Sequence, residues 1–171
     1  MNTTANKITL VRIVLIPVYM VLAYLKLNVW AFAVYVIACV SDMADGYIAR
    51  HYNQITNIGK FMDPLADKML VLSVMVIFTE QGIMPGWAVA IVIFREFAVS
   101  GMRLIAAQKG SVIAAAKSGK VKTAFTMVGL GAMIICPRSI LLDYVVIALI
   151  LLTTVYSGVE YFVVNRDVFK D

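Results

Sequence analysis

Asp42-Met-Ala-Asp45-Gly46-Tyr-Ile-Ala49-Arg50, then eight residues, then Gly59-Lys-Phe-Met-Asp63-Pro-Leu-Ala-Asp67: four aspartates stand at fixed spacing in an otherwise oily chain. Carboxylates at membrane depth are costly, so they are rare and usually functional. Four converging in one short stretch repel one another unless cations sit between them. A bound pair of divalent ions is the first expectation for this stretch, and catalysis at the membrane surface the second.

Helical geometry explains why the spacing suits a metal site. Asp42 and Asp45 are three residues apart and share a face, on which Gly46 and Ala49 also fall. Those small residues leave a hollow beside the carboxylates. Gly59, Asp63 and Asp67 step by four and form one ridge. The connection over 51–58 is short enough to make the two helices antiparallel neighbours, so the two acidic faces can meet. Hard oxygen ligands of this kind suit Mg²⁺, Mn²⁺ or Ca²⁺ rather than zinc, and His51 is the only histidine. Mg²⁺ usually keeps water or phosphate ligands, which points to a phosphate-bearing substrate. The plainer alternative pairs the aspartates with Arg50, Lys60 and Lys68 as buried salt bridges. It would serve for one aspartate, and serves poorly for four flanked by glycine and alanine on the same faces.

Composition sets the architecture around the motif. The 171 residues are 62% hydrophobic and only 15% charged, with a mean hydropathy of +0.90. A spanning helix needs about 20 mainly apolar residues, so the chain has room for about six spans and no separate soluble domain. We expect an all-α integral membrane protein, one domain over 1–171. Its six transmembrane helices are predicted near Ile8–Leu27, Val29–Arg50, Gly59–Thr79, Trp87–Gln108, Ala114–Cys136 and Leu141–Val164. Gly82, Pro85, Gly86, Gly110 and Pro137 punctuate them. The first apolar run carries Arg12 and Pro17 and lacks a small-x-small cleavage site, so it reads as a retained span. Cys39 and Cys136 lie in apolar runs and read as core residues rather than a disulfide. Most tyrosines, with Trp30 and Trp87, read as interface anchors.

The net charge is +5, but its placement matters more than its sum. Lys7, Arg50, Lys60, Lys109, Lys117, Lys120, Lys122, Arg166 and Lys170 lie at the two termini and the even-numbered connections. The alternate turns hold few cations. Positive-inside logic puts both termini and the aspartate motif on the cytoplasmic side of a multi-pass cell-membrane protein. No nucleic-acid partner is expected.

The pattern Asp-x2-Asp-Gly-x2-Ala-Arg-x8-Gly-x3-Asp-x3-Asp resembles, position for position, the signature of the CDP-alcohol phosphotransferases. The six-span plan resembles that family as well. The resemblance implies a membrane enzyme, a homodimer, that joins a CDP-activated group to an alcohol. It implies that Asp42, Asp45 and Asp63 hold two metal ions, Mg²⁺ or Mn²⁺. Asp67 would share in the metal site and act as the catalytic base. Asp42, Gly46, Ala49, Arg50 and Gly59 would shape the cytidine diphosphate pocket.

Further cations stand near the same membrane side. Arg95 and Arg103 lie eight apart on the fourth helix and lean to one face, with Glu96 pairing or orienting one of them. Lys117, Gly119, Lys120, Lys122 and Thr123 open the fifth helix, and Thr9 and Arg12 open the first. Cations and a helix amino end at one pocket suit a phosphorylated acceptor. Thr9, Arg12, Lys60, Arg95, Arg103, Lys117 and Lys120 are the candidates to bind its phosphate. Lys109, Lys122, Arg166 and Lys170 are expected to snorkel toward lipid phosphate instead.

The runs around Asn6–Arg12, Phe94–Arg103 and Ala116–Thr123 resemble those family members that use sn-glycerol 3-phosphate as acceptor and CDP-diacylglycerol as donor. That likeness implies phosphatidyl transfer with release of CMP. Inositol phosphate, serine or a phospholipid are alternative acceptors. A divalent-cation transporter is the remote alternative, since intramembrane acids also mark ion paths. Glu96 and Glu160 are too isolated to continue such a path.

Overall fold

The computed structural model describes the backbone of residues 4–51, 57–109, 116–136 and 139–166. The side chains of 4–7, 43–51, 57–64, 67 and 117 lie outside that description. Among the described residues there are six helices and no strand: α1 (Thr4–Tyr24), α2 (Asn28–His51), α3 (Asn57–Glu80), α4 (Gly86–Gln108), α5 (Lys117–Ile135) and α6 (Ile140–Val164). Each matches a predicted helix to within a few residues. α1 stops short of its predicted end because the chain turns at Lys26, whose φ is +58°. Lys26 N–H donates to Ala23 O and Leu27 N–H to Leu22 O, a left-handed cap that satisfies the last carbonyls of α1. Gly82, at φ +72°, ends α3 by the same pair of bonds, to Thr79 O and from Ile83 to Phe78 O. Ser139 caps α6, its Oγ accepting from Leu142 N–H.

α1 packs along α2 and α3, α5 along α6 and α2, and α4 against α6 and α3. The core runs through the middle of this bundle on Ile16, Tyr35, Ala38, Leu70, Val74, Val92, Leu130 and Ile150. Tyr19 and Tyr35 lie in it, ring centroids 6.2 Å apart, and Tyr35 OH donates to Met127 O. They are packing residues, not interface anchors as expected. Trp30 and Trp87 do face outward. At the end of the bundle holding the α1–α2 turn, Tyr24 OH donates to Glu80 at 2.6 Å. The cysteines are free; Cys39 is half-buried, whereas Cys136 is exposed at the C-cap of α5 rather than in the core.

α6 is long and apolar enough to cross a membrane, with a mean hydropathy of 2.1; among the described residues it alone meets that test. The other helices carry charge within or at the ends of their apolar runs. The outer surface is nonetheless oily: Val14, Val29, Phe94, Phe97, Val128, Leu141, Leu152 and Val163 are all exposed.

Small residues let the helices approach. Gly129 meets α6 at Val146, and Gly131 meets α2 at Tyr35 and Phe32. The Gly129-Leu-Gly131 seam therefore lies inside the chain. A Cβ on Gly129 would stand 2.7 Å from Val146 Cγ1, and valine is stiff at χ1. Gly129→Ala should destabilise the protein by about 1–3 kcal/mol, read as thermal unfolding in detergent. Gly101 is the contrast, since a Cβ there would meet nothing within 4 Å among the described residues. Gly101→Ala should stabilise α4 by about 0.5–1 kcal/mol.

Candidate active site

α2 carries Asp42, Asp45, Gly46, Ala49 and Arg50, and α3 carries Gly59, Lys60, Asp63 and Asp67, all within continuous helix. Of these, the Asp42 side chain is described; the others lie outside the described side chains, as does Lys117. Asp42 is part-exposed, and its Oδ1 stands 3.0 Å from Nη1 of the fully buried Arg12. The pair joins α1 to α2 at the start of the signature. Thr9, one turn before Arg12, is also buried. Among the described residues no three metal-ligating side chains cluster. The donor chemistry of the signature fits a hard divalent ion: its four acidic positions are all carboxylates, and none of its defined positions is Cys, His or Met.

A second group assembles from α3, α4 and α5. Glu96 Oε1 accepts from Arg95 Nη1 at 2.9 Å and from Lys122 Nζ at 2.6 Å. Lys122 is buried. It does not snorkel as expected, because the Glu96 carboxylate on the neighbouring helix compensates its charge away from water. Lys68, the residue after Asp67, donates to Ser100 Oγ. Ser100 in turn donates to Glu96 O at 2.7 Å. Lys68 thereby ties α3, just past Asp67 at the end of the acidic ridge, to α4, and it lies within Coulombic range of Lys122.

Arg95 is held in a slot between two glycines. Its Cγ lies 3.2 Å from where a Cβ on Gly158 of α6 would stand, and its Nη2 lies 3.6 Å from the same point on Gly119 of α5. Nη1 is engaged by Glu96, while the buried Nε has no hydrogen-bond partner among the described residues. Beside it, α5 begins without a side-chain cap, and Ser118 Oγ is buried and also without a partner among the described residues. Buried donors are almost always satisfied, so such a concentration marks a place for a ligand. An uncapped helix amino end next to a guanidinium edge is suited to an anion.

The other predicted cations are distributed differently. Arg103 is exposed, and its Nε donates to Tyr161 OH at 3.0 Å with the guanidinium 5.5 Å from the ring centre. Lys120 is exposed on the first turn of α5. Arg12 stands with Asp42. Ser100, Ser118 and Tyr161 are not singled out by the sequence as site residues, and Lys68 enters only as a candidate ion-pair partner of the aspartates. Lys68 meets Ser100, and Tyr161 meets Arg103, across helices, and only Lys68, next to Asp67, carries a local signal.

The model of the CDP-alcohol phosphatidyltransferase family matches residues 2–156. The chain belongs to that family. It is 37% identical to the CDP-diacylglycerol–glycerol-3-phosphate 3-phosphatidyltransferase of Bacillus subtilis (strain 168), with 96% of each chain covered. It is 38% identical to the enzyme of the same name from Shigella flexneri serotype 5b and 37% identical to that of Escherichia coli K12, in both cases over 90% of each chain.

Proposed function

We propose that this protein transfers the phosphatidyl group of CDP-diacylglycerol to sn-glycerol 3-phosphate, giving phosphatidylglycerol phosphate and CMP. The reaction type follows from the family and the names of its relatives. The observation that carries the acceptor is the partnerless edge of Arg95 at the uncapped start of α5, beside the helix that bears Asp67. A phosphate monoester bound there has its free hydroxyls to present toward the acidic ridge.

Asp42, Asp45, Asp63 and Asp67 would hold two divalent ions, Mg²⁺ or Mn²⁺, which supply charge neutralisation at the donor pyrophosphate. Asp42, Gly46, Ala49, Arg50 and Gly59 shape the cytidine diphosphate pocket. Arg12 fixes one oxygen of Asp42, so that carboxylate is oriented before any ligand arrives. Arg95, Ser118 and the first amides of α5 grip the acceptor phosphate, with Lys120 and Lys117 at its rim and Thr9, Arg12, Lys60 and Arg103 completing the cationic surround. Asp67 accepts the proton of the attacking hydroxyl. The new bond joins the acceptor oxygen to the lipid-side phosphorus. The bond from that phosphorus to the bridging oxygen breaks, and CMP leaves with the electron pair.

The assigned setting is the cell membrane, crossed six times, with both termini and the site facing the cytoplasm and the chain acting as a homodimer. The exposed apolar side chains on every helix and the one-sided placement of Lys and Arg support this. The dimer rests on the family resemblance.

The test is an acceptor panel with labelled CDP-diacylglycerol and purified protein. CMP release with glycerol 3-phosphate, and not with inositol phosphate, serine or a phospholipid, is expected; transfer to none of them sinks the reading. Chelation with EDTA should abolish transfer, and Mg²⁺ or Mn²⁺ should restore it. Activity that persists in excess chelator would remove the role given to the four aspartates.

A further inference from the structure

Glu96 sits among cations that outnumber it. Arg95 and Lys122 both stand on one carboxylate, a formal excess of one positive charge. Without Glu96, Arg95 and Lys122 would repel each other across the α4–α5 contact. With it, a single oxygen, Oε1, fastens both. The choice of nitrogen matters. Glu96 takes Nη1 of Arg95, which leaves the Nε–Nη2 edge, the side-on fork that matches two oxygens of a phosphate. Nε is buried and partnerless, and Nη2 points along Gly119 at the start of α5. Gly158 closes the slot from the opposite side, against Arg95 Cγ. The arginine is thus aimed before the ligand binds.

We propose that Glu96 is a positioning residue for the acceptor: it holds Arg95 with its side-on edge toward the first turn of α5 and fastens Lys122 beside it, so that the pocket keeps a net positive charge for a phosphate monoester. This inference rests on the acceptor reading above. Glu96 touches neither the reacting oxygen nor the phosphorus. It acts through Arg95 and Lys122, so its removal weakens acceptor binding without slowing the chemical step. Gly158 serves the same end by leaving room for the arginine stem.

The test uses the full chain in mixed micelles with Mn²⁺ and labelled CDP-diacylglycerol, titrating glycerol 3-phosphate. In Glu96→Gln the KM for glycerol 3-phosphate should rise about tenfold, the factor that about 1.4 kcal/mol of lost charge-assisted bonding represents. kcat and the KM for CDP-diacylglycerol should stay near wild type, and Glu96→Asp should recover part of the loss. Gly158→Ala, which disturbs Arg95 from the other side and changes no charge, should raise the same KM. An unchanged acceptor KM in Glu96→Gln overturns the inference and leaves the acceptor reading standing. So does a fall in kcat matched by loss of donor binding, the mark of a merely structural residue. If Glu96→Gln does not fold, Gly158→Ala decides: a selective rise in acceptor KM supports the inference, and an unchanged KM overturns it. Failure of the wild type itself to use glycerol 3-phosphate overturns both.

Discussion

Asp67→Asn will lower kcat by about a hundredfold to ten-thousandfold while donor binding survives, the range expected when a positioned general base is removed. Asparagine keeps the shape and one oxygen, so it preserves helix packing on α3 and a weakened ligand. It cannot accept the hydroxyl proton. CMP or CDP-diacylglycerol binding in the presence of Mn²⁺ should therefore remain measurable in this variant. Asp42→Asn makes the contrast, since Asp42 also answers the buried Arg12 at 3.0 Å. Neutralising it takes one counter-charge from a guanidinium in the core, so stability should fall along with activity. Equal loss of donor binding and turnover in Asp67→Asn would make Asp67 a metal ligand only and move the base elsewhere.

The contrast between these two aspartates also marks what a sequence discloses. Asp42, Asp45, Asp63 and Asp67 declare themselves because their spacing is local: steps of three and four put them on helix faces without knowledge of any other element. The helices are legible for the same reason, and α1 misses its expected end only because Lys26 takes a left-handed cap usually given to glycine. Lys122 is not legible. It stands 26 positions from Glu96, and an ion pair across helices leaves no periodic trace. Read by itself, a lysine near a helix end looks like a snorkelling residue. Tyr19 and Tyr35 mislead in the same way, since a tyrosine in an apolar run reads as an interface anchor until its neighbours are known to be α1 and α2 core residues. Ser118 gives no sign at all, because its meaning comes from Arg95 beside it and from a helix start that lacks a cap. Local chemistry named the site's acids; only packing named the cations that face the acceptor.

Arg95→Ala will raise the KM for glycerol 3-phosphate by about a hundredfold or more, because truncating one member of a largely desolvated charge pair also takes a counter-charge from its partner. Two losses combine. The phosphate loses the Nε–Nη2 fork, and the Glu96 carboxylate, answered by Lys122 alone, moves toward net repulsion of an incoming dianion. Arg95→Lys should fall between wild type and alanine, since lysine restores the charge but offers a point donor in place of a planar edge. The stem also matters: Arg95 Cγ packs at Gly158, so alanine leaves a gap there and some thermal stability goes with it. Pairing this change with Glu96→Gln separates the effects. If Glu96 works by aiming Arg95, the double variant should bind the acceptor no worse than Arg95→Ala alone, a non-additive outcome typical of residues in direct contact. Full additivity would mean that the carboxylate and the guanidinium serve the acceptor independently. A small effect of Arg95→Ala on acceptor KM, with Arg103→Ala producing the large one, would shift the phosphate site two turns along α4 toward Tyr161.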